Sequence, residues 1–292
     1  MACERRVGKM IFLERGMKKM LAVLAGLGIL TAGVGAHAGP EEDRLKLTAF
    51  YKKRYPDIQF EQYADGALAL DPDARAQFKS IMEFPPFSGQ IEKGERLWLT
   101  PLQSGKTYAD CLPNGGRMIA GDYPKFDDAK GKVVTLEDAI NECRVSNGEQ
   151  PYVHGDPETM GLLTAYARTL SDGMKMNIKV EGEAALKAFE DGKKTFYSRA
   201  GQLNFSCASC HVDNVGNRLR SEVMSPAVGQ AVGWPVFRGG DQLVTLQKRY
   251  EICHQYVRHV PDKPGGIRYN NLEYFHAYLS NGLVMRASVF RK

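Results

Sequence analysis

The chain has 292 residues, 43% of them hydrophobic and 25% charged, which supports a sizeable core and argues against wholesale disorder. Its formal charge of +5 sits mostly at the start: residues 1–38 hold six Lys/Arg and two Asp/Glu, leaving 33 basic against 32 acidic side chains downstream. That balance lacks the electrostatic footprint of a nucleic-acid or anionic-membrane partner.

Residues 1–38 read as an export signal. Arg15, Lys18 and Lys19 form a basic stretch, and residues 21–34 an apolar run too short for a comfortable membrane span. Ala36-His37-Ala38 fits the small-x-small cleavage pattern, so cleavage after Ala38 is expected, with no span left afterwards. An uncleaved anchor is the competing reading, and Met17 offers an alternative start. Export to an oxidising compartment leaves Cys111, Cys143, Cys207, Cys210 and Cys253 to be accounted for.

Residues 39–90 form an extension. Residues 45–51 look helical, Lys52-Lys53-Arg54 a solvated face, and Phe84-Pro85-Pro86-Phe87 an extended segment, because proline restricts both itself and its predecessor.

Two diverged copies of one unit follow. Val134-Thr135-Leu136 with Cys143 matches Val244-Thr245-Leu246 with Cys253 at an offset of 110. Tyr123-Pro124-x-Phe126 matches Trp234-Pro235-x-Phe237 at 111, and Leu170-Ser171-Asp172-Gly173 matches Leu279-Ser280-Asn281-Gly282 at 109. Upstream, at an offset of 99, Tyr108-Ala109-Asp110-Cys111-Leu112 falls opposite Cys207-Ala208-Ser209-Cys210-His211. The first copy spans 91–178 and the second 179–292, with residues 175–182 as the boundary.

Cys207-Ala208-Ser209-Cys210-His211 is a C-x-x-C-H motif, the attachment signature of a c-type haem. Two thiols at this spacing reach two vinyl groups, and the adjacent histidine reaches the iron as proximal ligand. Copy one lacks one of these cysteines and the histidine, so one covalently bound haem c is expected, in copy two. Cys111 and Cys143 would both face the vacated cavity, which predicts a Cys111–Cys143 disulfide. The fold class is therefore mainly α: two tandem class I cytochrome c-like domains, the first without haem, preceded by the extension.

In copy two, residues 183–197 read as an amphipathic helix interrupted by Gly192, residues 243–256 as a second helix and 271–279 as a terminal one. The Gly/Pro-rich stretch 225–240 reads as a loop wrapping the haem. The repeat places Cys253 across the pocket, a candidate sixth ligand beside Met224, Met285, His254, His259 and His276. Arg249 lies one helical turn before Cys253, where a cation favours thiolate or holds an anionic substrate.

The chain resembles the SoxA family, the catalytic cytochrome subunits of periplasmic SoxAX complexes. The resemblance covers residues 39–292 through Tyr63-Ala64-Asp65-Gly66, Phe84-Pro85-Pro86-Phe87, Tyr108-Ala109-Asp110-Cys111, the haem motif and Arg249-x-x-x-Cys253. It points to the single-haem subgroup, with a disulfide in place of the first haem. It implies oxidative conjugation of thiosulfate to a cysteine of a SoxYZ carrier, a SoxX-type cytochrome c partner in a heterodimer, and a periplasmic location. It also implies His211 and Cys253 as axial ligands, Cys253 as a persulfide-bearing catalytic residue, and Arg249 as its assistant. The competing readings are a plain electron-transfer cytochrome with a degenerate domain, a two-haem peroxidase, and a subunit whose haem only stabilises the fold.

Overall fold

The computed structural model describes residues 39–220, 222–287 and 289–291, so the export signal lies outside the described residues. The described chain from Gly39 on is one compact unit and mainly helical, and none of its described helices is long and apolar enough to cross a membrane.

Helix α1 (Pro40–Arg54) starts on proline. It carries Glu41, Glu42 and Asp43 in its first turn and Lys52, Lys53 and Arg54 in its last, aligned with the helix dipole. Those three basic side chains are exposed, and the helix buries only Leu47 and Tyr51. Helix α2 (Pro72–Glu83) is capped by Asp71, whose carboxylate accepts from Ala74 N at 3.0 Å. The segment Phe84–Phe87 is a tight corner, not the extended strand its prolines suggested. Ser88 N donates to Pro85 O at 3.1 Å, and α3 (Ser88–Leu99) begins at once. The prolines end one helix and the turn starts the next.

The two copies fold alike. Copy one uses α3, α4 (Tyr108–Cys111), an antiparallel hairpin β1 (Lys125–Asp127) and β2 (Lys132–Val134), α5 (Leu136–Ser146) and α6 (Met160–Thr169). Copy two uses α7 (Glu183–Tyr197), a π-helical turn at Ser209–Asp213, a small hairpin β3 (Arg218–Leu219) and β4 (Glu222–Val223), the hairpin β5 (Val236–Arg238) and β6 (Gln242–Val244), α8 (Leu246–Tyr256) and α9 (Ile267–Tyr278). Strand β7 (Val289–Arg291) adds to β5 in parallel. The stretch 225–240 thus holds a strand as well as loop, and α8 starts three residues later than the sequence pattern suggested, because 242–244 pair as β6.

Both Tyr123–Pro124 and Trp234–Pro235 are cis. Thr135 caps α5 reciprocally with Asp138, whereas Thr245 caps α8 from one side only, because Lys248 stands where Asp138 does. Ser171 Oγ accepts from Ile119 N and Ala120 N, and the equivalent Ser280 Oγ accepts from Gly229 N.

In each copy the first and last helices cross at a glycine. A Cβ on Gly192 would stand 2.0 Å from Asn271 O, and one on Gly94 would stand 2.4 Å from Leu162 O. Gly192 does not interrupt α7; it lets α9 approach. Replacing Gly192 with alanine is expected to cost about 1–3 kcal/mol through overpacking, read as a lowered urea midpoint. Gly89→Ala, where nothing lies within 4 Å, serves as control and is expected to gain a few tenths of a kcal/mol.

The boundary segment is a tie between the copies. Met176 N donates to Leu283 O and Met285 N to Met174 O, so 174–176 pairs antiparallel with 283–285. Asn281 accepts from Ile178 N, while Asp172 accepts from Ala287 N.

Candidate functional site

The haem motif opens with two serines that cap each other: Ser206 N donates to Ser209 Oγ and Ser209 N to Ser206 Oγ, both at 3.1 Å. This box starts the turn that carries Cys207 and Cys210. His211 Nδ1 lies 2.9 Å from Ser225 O, the arrangement in which Nδ1–H donates and leaves Nε2 as an acceptor, with Gln230 Nε2 3.2 Å from it.

Helix α1 braces the motif from outside. Tyr51 OH donates to His211 O at 2.5 Å and accepts from Ala227 N at 3.1 Å. Tyr55 OH donates to Val215 O at 2.6 Å, and Arg54 to Asp213 O at 3.0 Å. Sequence reasoning missed this brace. Its partners lie about 160 residues apart, and only the repeated tyrosine spacing on one face of α1 hints at a role.

One largely apolar cavity gathers the candidate residues. Cys207, Cys210 and His211 line it from the motif, Arg249, Cys253 and His254 from α8, and Arg268, Leu272 and His276 from α9. Gln230 and Trp234 close it from the loop before β5. Of the alternative ligands, Met285 is fully buried at the junction between copies and His259 packs on His254. Neither these two nor Met224 lines the cavity. His254 Nδ1 meets Tyr269 OH at 2.8 Å and His276 Nδ1 meets Tyr250 OH at 3.0 Å.

Burial dominates the electrostatics here. It pushes the Cys207 thiol up to about 12 and raises Cys210 as well. It drives His211 down to about 4, with Arg249 adding to the effect, so His211 is neutral and ligand-ready. At Cys253 burial again raises the thiol, against the opposing pull of Arg249. Burial and the Arg249 cation thus act on the Cys253 thiol in opposite senses, and a bound metal would favour its deprotonation.

The wall fits a c-type haem. It offers two thiols at the attachment spacing, a neutral histidine with Nε2 unengaged by backbone, and an apolar lining from Phe196, Leu246, Val257 and Leu272. Two buried polar atoms on it, His276 Nε2 and Gln230 Oε1, lack a partner among the described residues.

Copy one differs at the corresponding positions. Cys111 and Cys143 are joined as a disulfide with Cα atoms 5.8 Å apart. Leu112, opposite His211, is buried. Arg144, at the position of His254, donates to Tyr108 OH at 2.8 Å and lies 3.4 Å from the Tyr152 ring centre, while Trp98 stacks on Tyr108. Aromatic and guanidinium groups pack together there in place of an open cavity.

Residues 93–176, which fall within copy one, match the family model "SoxA/TsdA, cytochrome c domain". The chain is similar to the L-cysteine S-thiosulfotransferase subunit SoxA of Chlorobaculum tepidum, with 42% identity over 89% of this chain and 91% of that protein. It is 40% identical to the subunit of the same name from Allochromatium vinosum, over 96% of this chain and 99% of that one. Among solved structures it is similar to a chain in the crystal structure of SoxXA from P. pantotrophus, with a TM-score of 0.64 and 30% identity over 71% of this chain and 79% of that chain. A match of this extent, on a fold whose second copy presents a C-x-x-C-H motif to a cavity shared with Arg249 and Cys253, places the chain in the SoxA family of L-cysteine S-thiosulfotransferase subunits.

Proposed function

We propose that this chain holds a single haem c in copy two and uses Cys253 and Arg249 to conjugate thiosulfate to a cysteine of a SoxYZ-type carrier in the periplasm. The observation that carries this reading is the shared cavity: Arg249 and Cys253 stand on the same wall system as Cys207, Cys210 and His211. Cys207 and Cys210 would hold the porphyrin by thioethers, and His211 and Cys253 would be the axial ligands. When bound, the haem supplies a one-electron acceptor.

The overall reaction joins a carrier thiol to the outer sulfur of thiosulfate. It forms one S–S bond and releases two electrons and one proton. Among the described residues the Arg249 guanidinium has no hydrogen-bond partner, and its carbon lies 5.9 Å from the Tyr256 ring centre. It is free to pair with sulfonate oxygens by charge-assisted hydrogen bonds. Cys253 would take up thiosulfate as an S-thiosulfonate with loss of the two electrons and the proton, and the carrier thiolate would then attack its outer sulfur and release the Cys253 thiolate.

On this reading residues 1–38 are a cleaved signal, 39–90 an extension, 91–178 a class I cytochrome c-like domain that has exchanged its haem for the Cys111–Cys143 disulfide, and 179–292 the haem domain. A SoxX-type cytochrome is the heterodimer partner and second electron acceptor.

His254 and His276 also line the cavity, which keeps a His/His electron carrier as the second reading. Low-temperature EPR of the oxidised holoprotein separates the two. A rhombic low-spin signal of narrow g-spread at one haem per chain is expected for His/thiolate ligation. A wide-spread signal would take Cys253 off the iron and favour the electron carrier.

A further inference from the structure

A second cavity lies between the two copies. Its wall joins Glu137 and Arg168 of copy one to Gln247 and Glu273 of copy two. Glu137 and Arg168 are only 7% and 8% exposed. Arg168, on α6, donates through Nη2 to Val232 O at 3.0 Å and Ala231 O at 3.4 Å, and its Nε has no partner among the described residues. A charge so placed is poorly compensated, and burial pulls Arg168 down to about 10 against the attraction of Glu273.

Glu273, on α9, accepts from Gln247 Nε2 at 2.8 Å. The charged and titratable groups around it are Glu137 and Asp138 from α5, Arg168 from α6 and Tyr250 from α8, with His154 bonded to Asp138 at 2.9 Å. Burial raises the Glu273 carboxyl to about 7, and it raises Glu137 as well.

This cluster shares its walls with the haem cavity. Trp234 and Leu246 line both cavities. The carbonyls that Arg168 holds follow directly on Gln230, and Glu273 stands between Leu272 and His276 on the helix that lines the haem cavity.

We propose that Arg168 and Glu273 are positioning residues that set the reduction potential of the haem from across the Trp234–Leu246 wall, by opposite charges. The proposal rests on the reading that a haem fills the cavity of copy two. Each ferric haem takes one electron from the thiosulfate coupling, and this added charge is favoured by a buried cation and opposed by a buried carboxylate in a low-dielectric surround. Near its titration Glu273 takes one proton from solvent along with that electron. Arg168 belongs to the haem-less copy, so that copy acts on the redox centre without holding one.

The test is a spectroelectrochemical titration of the haem α-band in the full holoprotein, wild type against Arg168→Gln and Glu273→Gln, at pH 6 and pH 8. At pH 8, Arg168→Gln is expected to shift the haem toward the oxidised form against a fixed-potential dye by about threefold or more, and Glu273→Gln to shift it toward the reduced form by a similar factor. At pH 6 the Glu273→Gln effect fades, because the wild-type carboxyl is already protonated. Shifts of the same sign in both variants, independent of pH, mean a loosened wall and overturn the proposal; so does an unchanged potential at full haem content. Should Arg168→Gln fail to fold, the pH dependence of the isosteric Glu273→Gln decides alone. A wild-type protein without a haem spectrum overturns the underlying haem reading instead.

Discussion

Cys253→Met is expected to retain one haem per chain and to lose thiosulfate conjugation by roughly 10³-fold or more, as when a nucleophile acting in concert with its site is removed. Methionine is the informative replacement because it stays soft, apolar and able to ligate iron. It keeps a sulfur at the wall beside Arg249 while abolishing the thiol that carries sulfane sulfur. Cys253 lies on α8 away from the helix's fully buried side, and its neighbours Tyr250 and His254 hold the helix to α9 through Tyr250–His276 and His254–Tyr269 contacts. Those contacts remain in the variant, so the haem absorption band and the fold should persist. The measurement is mass spectrometry of the carrier's reactive cysteine after incubation with thiosulfate and an electron acceptor, alongside a haem assay. Wild-type conjugation by Cys253→Met would make Cys253 at most a ligand and would overturn its role in carrying sulfur.

Local features were the most legible in the sequence. The C-x-x-C-H motif placed Cys207, Cys210 and His211 together because its spacing is short and set by one turn. The repeat led to the α8 wall, since Cys253 and Cys143 share a position in two copies with equal-length helices. Errors arose where tertiary contact overrides local preference. Gly192 looked like a helix break because glycine has poor helix propensity, but its value is the missing Cβ against Asn271 O. Phe84–Phe87 looked extended, yet Pro85 O accepts from Ser88 N and the chain turns into α3. At Cys253 the sequence shows the neighbouring cation but not the burial that opposes it. The α1 brace on His211 and the Arg168–Glu273 cluster depend on pairings over a hundred residues apart, for which no local pattern exists.

On the proposed reading, copy one also shows what must change when a cytochrome domain stops holding a cofactor. A haem is a large part of such a domain's core, so its loss must be made good by side chains or by a covalent tie. Trp98, Tyr108, Tyr152 and Arg144 supply the side chains. The Cys111–Cys143 disulfide supplies the tie, and it reaches the weakest element: α4 has only four residues, too short to hold itself, and its start rests on a Thr107–Asp110 capping box.

That placement makes reduction of the disulfide a large and specific perturbation. Its ends are 32 residues apart, and closing a loop of that length restricts the unfolded chain by about 3–4 kcal/mol in the chain-entropy model. Urea unfolding with and without reductant should differ by about that much, while Cys111→Ala/Cys143→Ala should be insensitive to reductant and sit near the reduced wild type. Cys143 is buried at 4% exposure and Cys111 is exposed, so reductant has access from the α4 side. The haem absorption band should hold through this change, because the proposed thioethers to Cys207 and Cys210 would not be reducible and their cavity lies in the other copy. If reductant leaves wild-type stability unchanged, the tie contributes nothing in solution, and the packing of Arg144 between Tyr108 and Tyr152 must sustain copy one by itself.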